Sequence, residues 1–370
     1  MRHLYVHVPF CARRCTYCDF SIAVRRSVPA QEYVDAIRAE LDVRFGGRRL
    51  ALDTVYFGGG TPSRLGGEGV TRLLDVIADH ATLAPAAEVT LEANPDDVTA
   101  ESATAWRRAG VNRLSLGAQS FHDDVLAWMH RTHDARGIAT AVEHARDAGI
   151  DNVSLDLIFA LPAEVTRSWE RDVDSALALQ PEHVSLYGLT VEPHTPLGRR
   201  HFRGELAEAP EERYEHEFLY ADATLTAAGF EHYEVSNFAR PGRQSRHNAS
   251  YWSDAAYAGI GPAAHEFDGN ARRWNVAPYA EWLARVVADT DPMGGCERLT
   301  EENRVAEEIY VGLRTRRGVR IEGTESARAA LWMTAGWAIL SAENQLRLTP
   351  LGWLRLDANA ADLTHVRSRY

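Results

Sequence analysis

Cysteine is scarce in this chain: its 370 residues include four. Four cysteines spaced this unevenly exclude a disulfide framework. Long apolar runs are missing, and no stretch approaches the roughly 18 uninterrupted apolar residues of a membrane span. The opening residues, MRHLYVHVPF, pass straight into a strand-like alternation. They lack the apolar core of an export signal, so a reducing cytoplasm is the expected setting. Positive charge is in deficit, with a net charge of −12 at pH 7, which argues against a nucleic-acid-binding surface. Low-complexity tracts and short-period repeats are absent, which sets repeat arrays aside.

What is present reads as an ordinary globular composition, 45% hydrophobic and 25% charged. The length fits two domains, or one large barrel with an appendage. Short β-branched or apolar runs recur: LYVHV at Leu4, TVYFGGG at Thr54, EVTLEANP at Glu88, NRLSLGAQS at Asn112, NVSLDLIFALP at Asn152 and HVSLYGLT at His183. Helical patterns separate them. One places Tyr33, Val34, Ile37 and Leu41 on an apolar face, with Arg38 and Glu40 off it. Another runs from Asp134 to Ala148, and a third starts near Ser168 with Trp169, Val173, Ala176 and Leu177 on its apolar side. Strand alternating with helix reads as βα units around a parallel sheet. Six units predict an α/β fold, a partial (βα)6 barrel of TIM type spanning residues 1–239. Residues 240–298 read as a connecting segment, and 299–370 as a small, mostly helical, winged-helix-like domain.

Ligands of a parallel barrel gather at the C-terminal ends of its strands. Cys11, Cys15 and Cys18 follow the first strand, and Gly58 to Thr61 the second. Glu92 and Asn94 end the third, Gln119 follows the fourth, and Asp156 lies in the fifth. The C-x3-C-x2-C loop gathers three soft thiolates, which suit zinc or an iron–sulfur cluster. A closed zinc site needs a fourth ligand, and His7, Asp19 or distant Cys296 would have to supply it. An ordinary 4Fe–4S cluster likewise takes four cysteines. Three thiolates leave one iron open, so something else must bind it. Cluster, zinc and unmetallated thiols all stay open on spacing alone.

CARRCTYC after a first strand resembles the cluster loop of the radical S-adenosylmethionine (SAM) superfamily, and GGGTPS at Gly58 resembles its glycine motif. The resemblance implies a 4Fe–4S cluster on Cys11, Cys15 and Cys18, with SAM on the open iron. It also implies SAM contacts from Tyr5, Tyr17, Gly59, Gly60, Thr61, Glu92, Gln119, Arg131 and Asp156. Backbone approaches a charged ligand closely only where no Cβ intervenes, the expected reason for the glycines. YVHVPFC, YFGGGTPS, LEANPDD, NRLSLGAQSF, LDLIFALP and HNASYW further resemble the coproporphyrinogen oxidase-like subgroup, over nearly the whole chain. One branch of that subgroup oxidises coproporphyrinogen with an oxygen-independent radical chemistry; the other carries haem.

Three features favour the haem-carrying branch: Phe20 where the oxidase pattern has a further cysteine, no extension before the first strand, and HNASYW at His247. That branch implies haem as cargo, His247 as its axial ligand with His194 and His265 as rivals, and Tyr251 and Trp252 packing on the macrocycle. It also implies a haem-acceptor protein, a small electron-transfer protein of flavodoxin or ferredoxin type, and peripheral contact with membrane haem proteins. Nucleic acid is not an expected partner. Cys296 is expected to be dispensable, and Arg314, Arg316 and Arg317 read as a solvated basic face.

Overall fold

The computed structural model describes residues 1–367. Six parallel strands form its centre: β1 (His3–Val8), β2 (Leu50–Gly59), β3 (Ala81–Ala93), β4 (Arg113–Gln119), β5 (Val153–Phe159) and β6 (His183–Gly188). A helix follows each: α1 (Ala30–Phe45), α2 (Gly66–His80), α3 (Ala100–Ala109), α4 (Ala135–Asp147), α5 (Trp169–Ala178) and α6 (Glu211–Ala227). Local chemistry sets several helix starts. The Asp134 side chain accepts from the Gly137 N–H at 2.8 Å to open α4, and Ser168 accepts from the Arg171 N–H at 3.1 Å to open α5. Each such cap contributes about 1 kcal/mol.

Alternation along the strands separates two faces. Leu4, Val6 and Val8 of β1, Leu114 and Leu116 of β4, and Val153, Leu155 and Leu157 of β5 all join the main core. Each such buried side chain contributes about 1.5–3 kcal/mol. The opposite face is polar. It carries Tyr5 and His7, Thr54 and Tyr56, Glu88, Thr90 and Glu92, Arg113 and Ser115, Ser154 and Asp156. Its members bond across strands: Tyr56 to Glu92 at 2.8 Å, Ser115 to Asp156 at 3.2 Å, and Ser154 to His183 at 2.8 Å. The barrel is thus a polar container with apolar outer walls.

The sheet does not stop at six strands. β7 (Glu231–Glu234) and β8 (Asn237–Ala239) extend it antiparallel beyond β6. β9 (Tyr257–Ile260) runs parallel to β1, and β10 (His265–Phe267), β11 (Ala271–Asn275) and β12 (Met293–Arg298) follow antiparallel. Residues 240–298, expected as a connecting segment, therefore build one edge of the barrel sheet. Glu40 ties that edge to α1. It was expected off the apolar face of α1, yet it is fully buried. Its carboxylate accepts from the Gly261 N–H at 2.8 Å, Asn275 Nδ2 at 2.7 Å and Trp282 Nε1 at 2.8 Å, with Arg44 at 3.0 Å. A buried charge is tolerated only when it is satisfied this fully.

Among the described residues, the remaining chain packs the helix Glu301–Arg314 and three further α-helices with a three-stranded antiparallel sheet, ordered Val319–Arg320, Gln345–Leu348, Ala338–Leu340. It docks on β7, where the Val235 N–H donates to Arg314 O at 2.9 Å and the Arg316 N–H to Tyr233 O at 3.2 Å.

Candidate cluster and cargo sites

The cysteine loop leaves β1 at the C-terminal end of the barrel. Two short segments, Phe10–Cys11 and Ala23–Val24, pair in parallel and close the loop on itself. The Ala23 N–H donates to Pro9 O at 2.7 Å, and the Arg25 N–H to Cys11 O at 2.9 Å. Cys11 Sγ lies 3.3 Å from Thr61 Oγ1, and Arg131 Nη1 donates to Cys15 Sγ at 3.6 Å. All three thiols are free. Burial pushes the Cys18 thiol up to about 11 and raises that of Cys11. A positively charged centre is what converts such thiols to thiolates.

Cys11, Cys15, Cys18 and Tyr17 line a cavity of about 470 Å³. Gly59, Gly60 and Thr61 line it from β2, Glu92 from β3, Gln119 and Arg131 from β4 and beyond, and Asp156 from β5. The structure thus brings together eleven of the twelve residues expected around cluster and SAM, Tyr5 being the exception, with His247 also elsewhere. Glu92 accepts from Tyr56 Oη at 2.8 Å and from the Gly59 N–H at 3.2 Å, while burial raises its carboxyl to about 7. Burial also raises Asp156. Both are acceptors matched to hydroxyls. Arg131 Nε is buried without a partner among the described residues, and its Nη2 donates to Gly117 O at 2.9 Å. A free donor in this wall suits an anionic ligand group. Gln119 ends β4 with φ 65°, a left-handed turn.

The donor set fits a cluster better than zinc. Among the described residues, no three His, Cys, Asp or Glu side chains converge on one metal-ion position, as a zinc site requires; a cluster spreads its thiolates over separate irons. Of the fourth-ligand candidates, Asp19 lines the same cavity as the three thiols, whereas His7 is engaged elsewhere and Cys296 is distant. Both ring nitrogens of His7 are bonded, Nδ1 to Tyr5 Oη at 3.2 Å and Nε2 to Ser21 O at 3.0 Å. Cys296 is exposed on β12, opposite Arg273.

Two expectations change. Gly59 has φ 110°, and a Cβ there would stand 2.6 Å from the His7 ring. This glycine is required by strand packing, whatever a ligand needs. Tyr5 does not line the cluster cavity; it faces a second one, of about 1010 Å³. The two cavities share a wall: a Cβ at Gly58 would lie 2.9 Å from the Tyr5 ring and 3.1 Å from Glu92 Oε1.

The second cavity lies between the β9–β11 edge and the C-terminal unit. Tyr251, Trp252, Tyr257, Phe267 and Tyr310 give it aromatic walls, and Arg272, Arg304 and Arg317 give it cations. Among the described residues, Trp252 Nε1 and Gln345 Oε1 are buried in that lining with no partner, and such orphans call for a polar ligand. Arg314, expected on a solvated face, instead lies over the Trp252 ring, 4.8 Å from its centroid.

His247 is not in either cavity. It is fully buried near the N-terminal ends of the strands, its Nδ1 2.7 Å from Thr54 Oγ1 and its Nε2 2.9 Å from Tyr251 Oη. The Glu88 carboxylate accepts from its backbone N–H at 3.0 Å. Burial lowers its pKa to about 3. With both nitrogens bonded and no exposure, the ring has no face for an iron; it positions Tyr251 instead. His265 does line the second cavity, exposed and stacked on Trp274 with centroids 5.9 Å apart. Among the described residues its ring nitrogens have no hydrogen-bond partner. His194 is exposed and lines neither cavity. Sequence reasoning passed over Ser115, Arg272, Arg304 and Gln345; only Ser115 had a signal, its polar place in the alternation of β4.

Residues 5–176 match the family model of the radical SAM superfamily. The fold agrees with that of the coproporphyrinogen III oxidase of Escherichia coli, at TM-score 0.81 and 22% identity, covering 97% of this chain and 89% of that one. The chain is a radical SAM protein, a class whose cofactors are a 4Fe–4S cluster and SAM. It is 41% identical to "Heme chaperone HemW" of Mycobacterium tuberculosis over 365 residues, 96% of this chain and 93% of the relative. It is 37% identical to the Bacillus subtilis protein of the same name, covering 86% and 85%. The chain belongs to the HemW family.

Proposed function

We infer that this chain binds haem in the larger cavity and passes it to an acceptor protein, with Cys11, Cys15 and Cys18 holding the cluster. The observation that carries the reading is the large cavity: aromatic walls for a macrocycle, Arg304, Arg317 and Arg320 for its carboxylates beside an Arg272 paired to Glu307, and a Trp252 Nε1 in its lining that has no partner among the described residues. His265 is the axial ligand in this reading, since a neutral imidazole with free nitrogens faces the cavity.

When bound, the cluster supplies an electron for the reductive cleavage of SAM. The chain's own residues do the holding. Glu92 and Asp156 accept from the ribose hydroxyls, Arg131 pairs with the SAM carboxylate, and Tyr17 walls the pocket. A small electron-transfer protein of flavodoxin or ferredoxin type is the reductant, and the acceptor is a haem protein, including one at a membrane surface. The setting is the cytoplasm; among the described residues no helix is long and apolar enough to cross a membrane.

The test is a haem titration on anaerobically reconstituted protein beside a coproporphyrinogen assay. Tight haem binding without decarboxylation is the expected result. Turnover of coproporphyrinogen with SAM and reductant would overturn the reading in favour of the oxidase.

A further inference from the structure

The chain carries a net charge of −12, yet the loop around the three cysteines is basic. Arg13, Arg14, Arg25 and Arg26 are all exposed there, with Asp19 the one acidic residue between Cys11 and Arg26. Many arginines elsewhere pair with carboxylates: Arg2 with Asp53, Arg38 with Asp79, Arg273 with Asp291. Among the described residues these four have no carboxylate partner; Arg14 Nη1 donates to Cys18 O at 3.2 Å and Arg25 Nη1 to Val24 O at 3.1 Å. Arg64 Nη2 reaches Arg26 O at 3.2 Å and adds a fifth guanidinium. On the other flank, the helix Pro196–Phe202 abuts the loop through the Leu197 N–H, which donates to Thr16 O at 2.8 Å. Phe20 is 60% exposed at the cavity mouth. An exposed aromatic on a loop that also carries exposed cations without carboxylate partners is the anatomy of a charge-steered interface.

The geometry points to this collar as the docking surface for a small acidic one-electron carrier protein. Unpaired charge of the opposite sign to the rest of the chain steers a negatively charged partner to this face and turns it from others. The chain has no lysine, so every cation of the collar is a guanidinium, which grips carboxylates two-pronged. The docked carrier gives up one electron and the centre held by the cysteines gains it; no bond forms or breaks and no proton moves. The inference deepens the proposed reading by giving its reductant a docking surface, and it rests on that reading's reducible centre at the cysteine loop.

Docking is read directly, on chain lacking the cluster, with acidic flavodoxin as the probe. Affinity should fall about tenfold or more between low salt and about 0.5 M salt. The variant Arg13→Glu/Arg14→Glu/Arg25→Glu/Arg26→Glu should associate about ten- to a hundredfold more slowly. The matching Arg→Gln variant should fall between, and Arg108→Glu/Arg171→Glu, exposed on outer helices, should bind as the parent does. Circular dichroism verifies that the variants fold. Parent protein that fails to bind the probe at low salt, or a charge reversal that changes binding less than twofold, would overturn the proposal. So would a reversal that weakens haem and leaves the probe untouched, since the collar would then serve the cargo. Haem affinity measured on the same variants separates failure of the docking surface from failure of the haem reading.

Discussion

Replacing His247 and His265 one at a time separates a buried strut from a ligand. His247 is fully enclosed, and its ring holds Thr54 and Tyr251 at 2.7 and 2.9 Å. His247→Ala opens a cavity, and large-to-small changes in a core cost about 2–5 kcal/mol. It also strips partners from two hydroxyls, at about 1–3 kcal/mol for a buried group left unsatisfied. The terms overlap, and Tyr251 can relax toward the adjoining cavity, so the expected net loss is about 3 kcal/mol. The assay is denaturant unfolding of the cofactor-free chain, read from the shift in midpoint. The same variant should bind haem more weakly, because Tyr251 loses its anchor, but with the absorption band of bound haem unmoved. His265→Ala should do the reverse: change stability by under about 0.5 kcal/mol, as surface changes do, and shift the band. A His247→Ala protein as stable as the parent with an altered haem band would refute the reasoning, because the ring would have to leave its pocket to reach the iron.

Gly59→Val should destabilise the chain even without cofactors, because φ is 110° and the His7 ring occupies the Cβ position; thermal unfolding of cofactor-free protein tests this, and an unchanged midpoint would return the role of Gly59 to the ligand. Cys11→Ala, Cys15→Ala and Cys18→Ala should each abolish the cluster absorbance after reconstitution, while Cys296→Ala on the exposed β12 should leave iron content unchanged. Acid should weaken the fold below about pH 6.5. His133 and His247 are held neutral by burial, at about 4 and about 3. Unfolded histidine takes up a proton at higher pH than these buried rings do, so stability present above pH 6.5 drains away as pH falls toward those values. His247→Gln, compared by unfolding midpoint at pH 7 and pH 5, should show a smaller acid loss than the parent.

The six βα units were legible because strand alternation and helix capping are local. In β4, Leu114 and Leu116 alternate with polar neighbours within a few residues, and the helical patterns read from Asp134 and near Ser168 begin where those side chains cap α4 and α5. The cysteine spacing was legible for the same reason, since one loop carries all three thiols. Long-range facts were not. β10 and β11 are three and five residues long, too short for period two to register, and β12 is largely exposed. Nothing near Glu40 in sequence announces Gly261, Asn275 and Trp282. His247 misled because a histidine in a conspicuous motif looks like a ligand until its burial is seen. Its partner Thr54 lies on a strand 193 positions away.

The shared wall constrains how variants of this protein can be interpreted. Tyr56 donates to Glu92 on the cluster side at 2.8 Å and stacks on His247 with centroids 5.1 Å apart. His247 in turn holds Tyr251, which faces the larger cavity. Tyr5 faces that cavity too, and its ring reaches the same glycine as Glu92. A change at Tyr5, Tyr56 or Glu92 therefore alters groups lining both spaces, and packed cores transmit such shifts. Loss of haem binding in one of these variants does not place haem beside that residue, nor does loss of SAM binding place SAM there. His265 is free of this ambiguity: it contacts Trp274 on the outer β10–β11 edge, borders the larger cavity alone, and is the position at which the cargo site can be tested without disturbing the other.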